Sequence, residues 1–162
     1  MSANWRLIVT LAAVLLVTAG PSIASLDEKE PTRPPGRSPS LDALKRGYSA
    51  SEQGEHDEAY THFHSALETA STSELRFQAY VGLGSAAAAL GRLDDARENF
   101  EKALLLRPEN AETLFSLGLV AKEQDRYQEA TSFFANAAVR DPSLSEAMVE
   151  LGVVYEILGR HE

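Results

Sequence analysis

From Ser40 onward the apolar positions of the chain follow helical periodicity. Tyr80, Leu83 and Ala87 are spaced i, i+3, i+7, and Ala96, Phe100 and Ala103 are spaced i, i+4, i+7. Each set lines one face of a helix. Gly91-Arg92 and Asp125-Arg126 interrupt the pattern as short inter-helix turns, and Pro108 and Pro142 end the second helix of a pair. Ser71-x-x-Glu74 and Ser143-x-x-Glu146 have capping-box spacing, which predicts that the next helices start there.

The pattern then recurs. Leu83-Gly84 returns as Leu117-Gly118 and Leu151-Gly152, 34 residues apart each time. Ala96, Phe100, Ala103 and Pro108 return as Ala130, Phe134, Ala137 and Pro142, and Arg92 as Arg126 and Arg160, at the same step. Upstream, Ala59, Phe63 and Ala66 match Ala96, Phe100 and Ala103 at a displacement of 37, which predicts about three extra residues near Thr69–Ser73. Gly84 and Gly118, with Ala96 and Ala130, remove bulk where paired helices approach. Phe100 and Phe134 are expected to fill the gap between successive pairs.

These residues carry a resemblance to the tetratricopeptide repeat (TPR), a helix–turn–helix unit of about 34 residues. The family's leading aromatic position is occupied by Tyr80, Leu114 and Met148, its Leu-Gly by the three pairs above, and its later tyrosine by Tyr155 alone, with Ala87 and Ala121 in the other copies. The first copy departs from the pattern: Arg46 stands where leucine is expected and Ser71 replaces the proline. The resemblance implies an all-α, right-handed superhelical solenoid with units at about 40–76, 77–110 and 111–144 and a partial unit at 145–162. The segment Ser145–Leu158 is apolar on nearly every side, and such a helix expects neighbours on both flanks. It is therefore read as the opening of an interrupted fourth repeat, or as a helix that docks on another chain.

Residues 1–39 have a different character. Arg6 precedes Leu7–Ala19, an uncharged stretch, followed by Gly20-Pro21 and the small-residue site Ser22-Ile23-Ala24. That order predicts a secretory signal peptide over 1–24. Localisation is accordingly read as exported, periplasmic or extracellular, with an N-terminal membrane anchor as the alternative if the segment stays uncleaved. Residues 25–39 are Pro-rich with mixed charge and read as a disordered linker.

Composition narrows the chemistry. The chain of 162 residues has 15 Lys+Arg against 24 Asp+Glu, a formal charge of −9, and no cysteine. An acidic chain lacks the basic footprint that a phosphate backbone needs, which argues against nucleic-acid partners. Disulfides, thiolate metal sites and a cysteine nucleophile are excluded. Gly82-Leu-Gly84-Ser-Ala-Ala87 matches a dinucleotide fingerprint, but it lies in a helical stretch without the preceding strand that fingerprint requires. His62-x-His64 places two imidazoles on different sides of a helix, a poor metal site. Asp94-Asp95 and Glu55-x-Asp57-Glu58 suit helix starts, where the helix dipole favours negative charge. No catalytic residue, cofactor or metal is assigned.

What remains is surface. In the family, the first helices of successive repeats line a concave groove that holds a partner's peptide or helix. The resemblance carries that groove onto Leu44/Tyr48, Val81/Ser85, Phe115/Leu119 and Val149/Val153, with Lys122 one turn further. The lysines and asparagines with which chaperone-binding members clamp a carboxylate are not at these positions. Glu52, Glu112, Glu123 and Glu156 flank the ladder, so the expected partner is a peptide or amphipathic helix with basic flanks. Some of these residues equally suit ordinary inter-repeat core. The expected function is a non-catalytic protein–protein interaction scaffold. The alternative is a structural or regulatory segment of a longer chain, or a self-associating array.

Overall fold

A computed structural model describes residues 38–159. The signal peptide and most of the linker read from the sequence lie outside the described residues. Seven helices follow one another: α1 (Pro39–Glu52), α2 (His56–Thr69), α3 (Ser73–Ala89), α4 (Leu93–Leu106), α5 (Ala111–Glu123), α6 (Tyr127–Arg140) and α7 (Ser145–Ile157). The described residues hold no strand, and each helix packs chiefly on its neighbours in sequence. The result is an all-α repeat in which α1/α2, α3/α4 and α5/α6 are antiparallel pairs.

The turns repeat as faithfully as the helices. Gly54, Gly91 and Gly159 have φ of +80°, +75° and +67°, and Asp125 occupies the equivalent place with φ of 57°. The turn within each pair therefore passes through one left-handed residue, a conformation glycine adopts freely and aspartate tolerates, and Gly159 repeats it after α7.

Helix starts differ from the capping boxes expected at Ser71 and Ser143. The cap of α3 is Thr72, whose hydroxyl accepts from the Leu75 backbone amide, and Asn110 caps α5 by accepting from Thr113. Before α7, Ser143 instead donates its hydroxyl and its backbone amide to Asp141, at 2.6 and 2.9 Å. An acceptor two residues upstream closes a local turn, and it takes the serine away from the helix end.

The three extra residues expected near Thr69–Ser73 become an additional turn of helix. α3 has 17 residues against 13 in α5, and it starts at Ser73, four residues ahead of the position equivalent to Ala111. Arg107 holds that turn in place: it ion-pairs with Glu74 and its guanidinium lies 4.5 Å from the centre of the Phe77 ring.

The core is built from one contact used three times. Phe63, Phe100 and Phe134 are at most 2% exposed, and each ring lies on the glycine of its own pair, Gly47, Gly84 and Gly118 respectively. A Cβ on any of these glycines would come within 2.5–2.7 Å of ring atoms. The flanking alanines Ala59 and Ala66, Ala96 and Ala103, and Ala130 and Ala137 are fully buried. So the rings close the two helices within a pair and also reach the next unit, as the spacing suggested: Phe100 clusters with Leu117 and Val120, and Phe134 with Ala147 and Val154. Burying one such ring stabilises the fold by about 2–3 kcal/mol. Phe63 reaches further, since Gly82 of the next pair also faces its ring, at 2.5 Å from a would-be Cβ.

Polar ties run between pairs. Arg97 bridges to Glu129 at 2.6 Å, and Arg140 to Glu109 at 2.7 Å. The repeated arginines do not act alike: Arg92 reaches back to Asp57 at 3.2 Å, whereas Arg126 turns to Glu129 on its own helix.

Candidate functional site

The candidate ladder follows the first helix of each unit, and the structure divides it. Leu44, Val81, Phe115 and Leu119 are between 0 and 7% exposed. Leu44 belongs to a core cluster with Phe63 and Leu83, Val81 to one with Phe100 and Leu117, and Phe115 and Leu119 to one with Phe134 and Val154. These four serve the core, each clustered with side chains of its own pair and of the next unit. Phe115 sits 5.6 Å from the Phe134 ring, centre to centre.

Tyr48 and Ser85 are half-buried. Tyr48 packs edge-on against Phe63, with ring centres 5.1 Å apart, and burial pushes its hydroxyl well above the usual phenol range. Lys122 is 9% exposed and donates to Glu150 of α7 at 2.5 Å. It is a strut between α5 and α7, already paired. Val149 and Val153, the last pair of the ladder, are 64% and 38% exposed.

One functional candidate was not apparent from the sequence. Gln78 is 8% exposed; its amide nitrogen donates to Glu74 at 3.2 Å, and its Oε1 has no hydrogen-bond partner. The Ser85 Oγ is likewise buried without a partner. These are the two such side-chain atoms found among the described residues. Seven residues apart, they share one face of α3. A buried polar atom left unpaired is costly, so a ligand group that pairs with it gains more than it would at a solvated position. Sequence could have flagged Gln78 as the polar member of an otherwise apolar first helix.

Two carboxyls also interact at the start of α5. Burial raises the Glu112 carboxyl above its ordinary range, and the nearby Asp141 charge raises it further. Asp141 itself is held low by its hydrogen bonds from Ser143.

The remaining motifs separate. Gly82 and Gly84 lie inside α3, facing Phe63 and Phe100, which accounts for the fingerprint-like spacing by packing. His64 lies 3.5 Å from Glu68, while His62 borders a shallow open depression with Asp57, Glu58 and Thr61. Among the described residues no group of three or more histidine and carboxylate side chains is placed to hold a metal ion. No described helix is long and apolar enough to cross a membrane.

A family model for the tetratricopeptide repeat matches residues 40–109 and 75–138. Over 122 residues, 75% of its length, the chain is 31% identical to the protein CTR9 homolog of Arabidopsis thaliana. That alignment spans 11% of the relative. Among solved structures, the first TPR domain of human RPAP3 superposes with a TM-score of 0.70 at 18% identity, covering 76% of this chain and 95% of that domain. The first TPR of Spaghetti (RPAP3), bound to the HSP90 peptide SRMEEVD, does so at 0.68 and 19%, covering 75% and 94%. At these identities the structural likeness is one of fold.

Proposed function

The chain belongs to the tetratricopeptide repeat family, and on that premise we propose that it is a non-catalytic scaffold that binds a peptide or helix of a partner protein across its first helices. The observation that carries this reading is the pair of unpartnered polar atoms on α3, Gln78 Oε1 and Ser85 Oγ. They lie on one helix face in register with half-buried Tyr48. Both atoms lie beneath the surface, so a partner's backbone amides would donate to them on a rotation of the Gln78 and Ser85 side chains. The overall charge of −9 favours lysine or arginine beside the bound segment. The RPAP3 domain that holds an HSP90 peptide supports peptide binding as a use of this fold. A carboxylate clamp does not carry over, because Lys122, the basic residue of the ladder, is spent on Glu150.

The same proposal places the scaffold outside the cytoplasm, on the strength of Leu7–Ala19 and the small-residue site ending at Ala24. N-terminal sequencing of the exported protein tests that part: a start upstream of Leu7 would contradict cleavage.

A random-peptide display library tests the binding. Enriched peptides are expected to have an apolar centre and basic flanks. Gln78→Leu combined with Ser85→Ala should weaken them about tenfold while the helical signal is retained. Unchanged affinity in that double variant would overturn the assignment.

A further inference from the structure

The two unpartnered oxygens on α3, Gln78 Oε1 and Ser85 Oγ, belong to residues two helical turns apart, about 10 Å along the axis. A ligand that satisfies both must present two N–H donors at that spacing on one side. In an extended strand, same-side amides recur every second residue, at about 7 and then about 13 Å. In polyproline II they recur every third residue, at about 9 Å, which is the better match. Prolines between the two donors would hold that conformation and add no N–H of their own.

The chain carries such a segment beside that face. Arg33-Pro34-Pro35-Gly36-Arg37 has N–H groups at Arg33 and Gly36 with the two prolines between them, and its charges are the flanking arginines. It stops immediately before Ser38, the cap of α1. α1 packs on α3 in one core cluster, through Ala43 and Leu44 against Leu75, Ala79 and Leu83. Leu41 of α1 is the counterpart of Gln78 one unit earlier, so Ser38 stands one turn above the level of Gln78. Packed helix axes lie about 8–10 Å apart, and two residues of chain span about 7 Å. Gly36 is therefore within reach of the Gln78 side chain, and the chain running back from it to Arg33 descends along α3 to Ser85.

We propose that residues 33–36 lie along α3 in polyproline II conformation, antiparallel to it, the Gly36 amide donating to Gln78 Oε1 and the Arg33 amide to Ser85 Oγ. Building on the reading of α3 as a peptide-binding face, this makes the segment a built-in ligand that a partner has to displace. Its apolar centre and basic flanks are those expected of the partner. Glycine at position 36 lets the backbone approach a glutamine that is 8% exposed. Tyr48, half-buried on α1 at the register of Ser85, gives the proline rings an aromatic wall. Charge agrees with this direction. The last turns of α1 and α3 hold no basic residue, Glu52 is exposed at the end of α1, and Lys122 is spent on Glu150. Arg33 thus meets helix carbonyl ends and a carboxylate. A short tether supplies the segment at an effective concentration on the order of millimolar, so two hydrogen bonds and these contacts suffice to seat it.

Because the chain has no cysteine, Thr32→Cys allows a single spin label in the full chain, read by NMR. With the segment docked, the label should broaden the amide signals of Ser85, Ala88 and Ala89 more than those at the start of α1. Gln78→Leu with Ser85→Ala should lower the docking constant read from this broadening about tenfold. Arg33→Glu, outside the helical array, should lower it too, as should Pro34→Gly with Pro35→Gly, which keeps both donors and removes the conformational preference. Broadening strongest at the start of α1, or equal with and without Gln78 and Ser85, overturns the proposal. Broadening that grows with protein concentration overturns it in favour of docking on a second copy. The measurement needs no partner, so a display library that enriches no peptide would count against the scaffold function and leave the docking result standing.

Discussion

At Gly82 a would-be Cβ lies 2.5 Å from the Phe63 ring, while at Gly152 it meets nothing within 4 Å. The same substitution should therefore have opposite signs at the two places. Gly82→Ala gains about 1 kcal/mol of helix propensity and loses about 1–3 kcal/mol by overpacking, a net destabilisation. Gly152→Ala keeps the gain and should stabilise by about 0.5–1 kcal/mol. Urea midpoints at constant m-value check both. A second prediction concerns Glu112, whose folded-state carboxyl is raised by burial and then by Asp141. A raised carboxyl binds its proton more tightly in the folded chain, so its contribution to stability falls as pH rises from 4.5 through the folded value. Glu112→Gln should accordingly stabilise the protein at neutral pH and lose that advantage below about 4.5, as read from unfolding curves across the range.

At the scale of elements, a first helix has two jobs: it closes on its own second helix and it receives the first helix of the next unit. Phe115 and Leu119 on α5 take part in both, lying at 4% and 6% exposure in the cluster that α6 and α7 complete. Phe115→Glu or Leu119→Glu would bury an unpaired carboxylate, at a cost of more than about 3 kcal/mol, a large share of a small domain's stability. Circular dichroism should show loss of helical signal. Val149→Glu, at the equivalent position on α7 but 64% exposed, should keep it. The same side-chain position is thus core on one helix and surface on another, according to whether a further helix covers it.

For the whole molecule, the 34-residue step, the turn positions and the Ala–Phe–Ala faces were legible in the chain, because each is a local pattern with a direct packing reason. The first copy's displacement of 37 was legible too, though not that it becomes an extra helical turn held by Arg107 on Glu74 and Phe77. The candidate site was less legible. Periodicity identified the first helices, but the burial of Leu44, Val81, Phe115 and Leu119 depends on the distance between successive units. The pairing of Lys122 with Glu150 depends on two residues 28 apart meeting across α5 and α7. Sequence alone determined which residues are helical, where the chain reverses and which faces are apolar, because those follow from neighbours a few positions away. Tertiary structure alone decided which apolar residues are covered, which charges are spent on each other, and that Gln78 and Ser85 hold the unpaired polar atoms, because burial and pairing are properties of several helices at once.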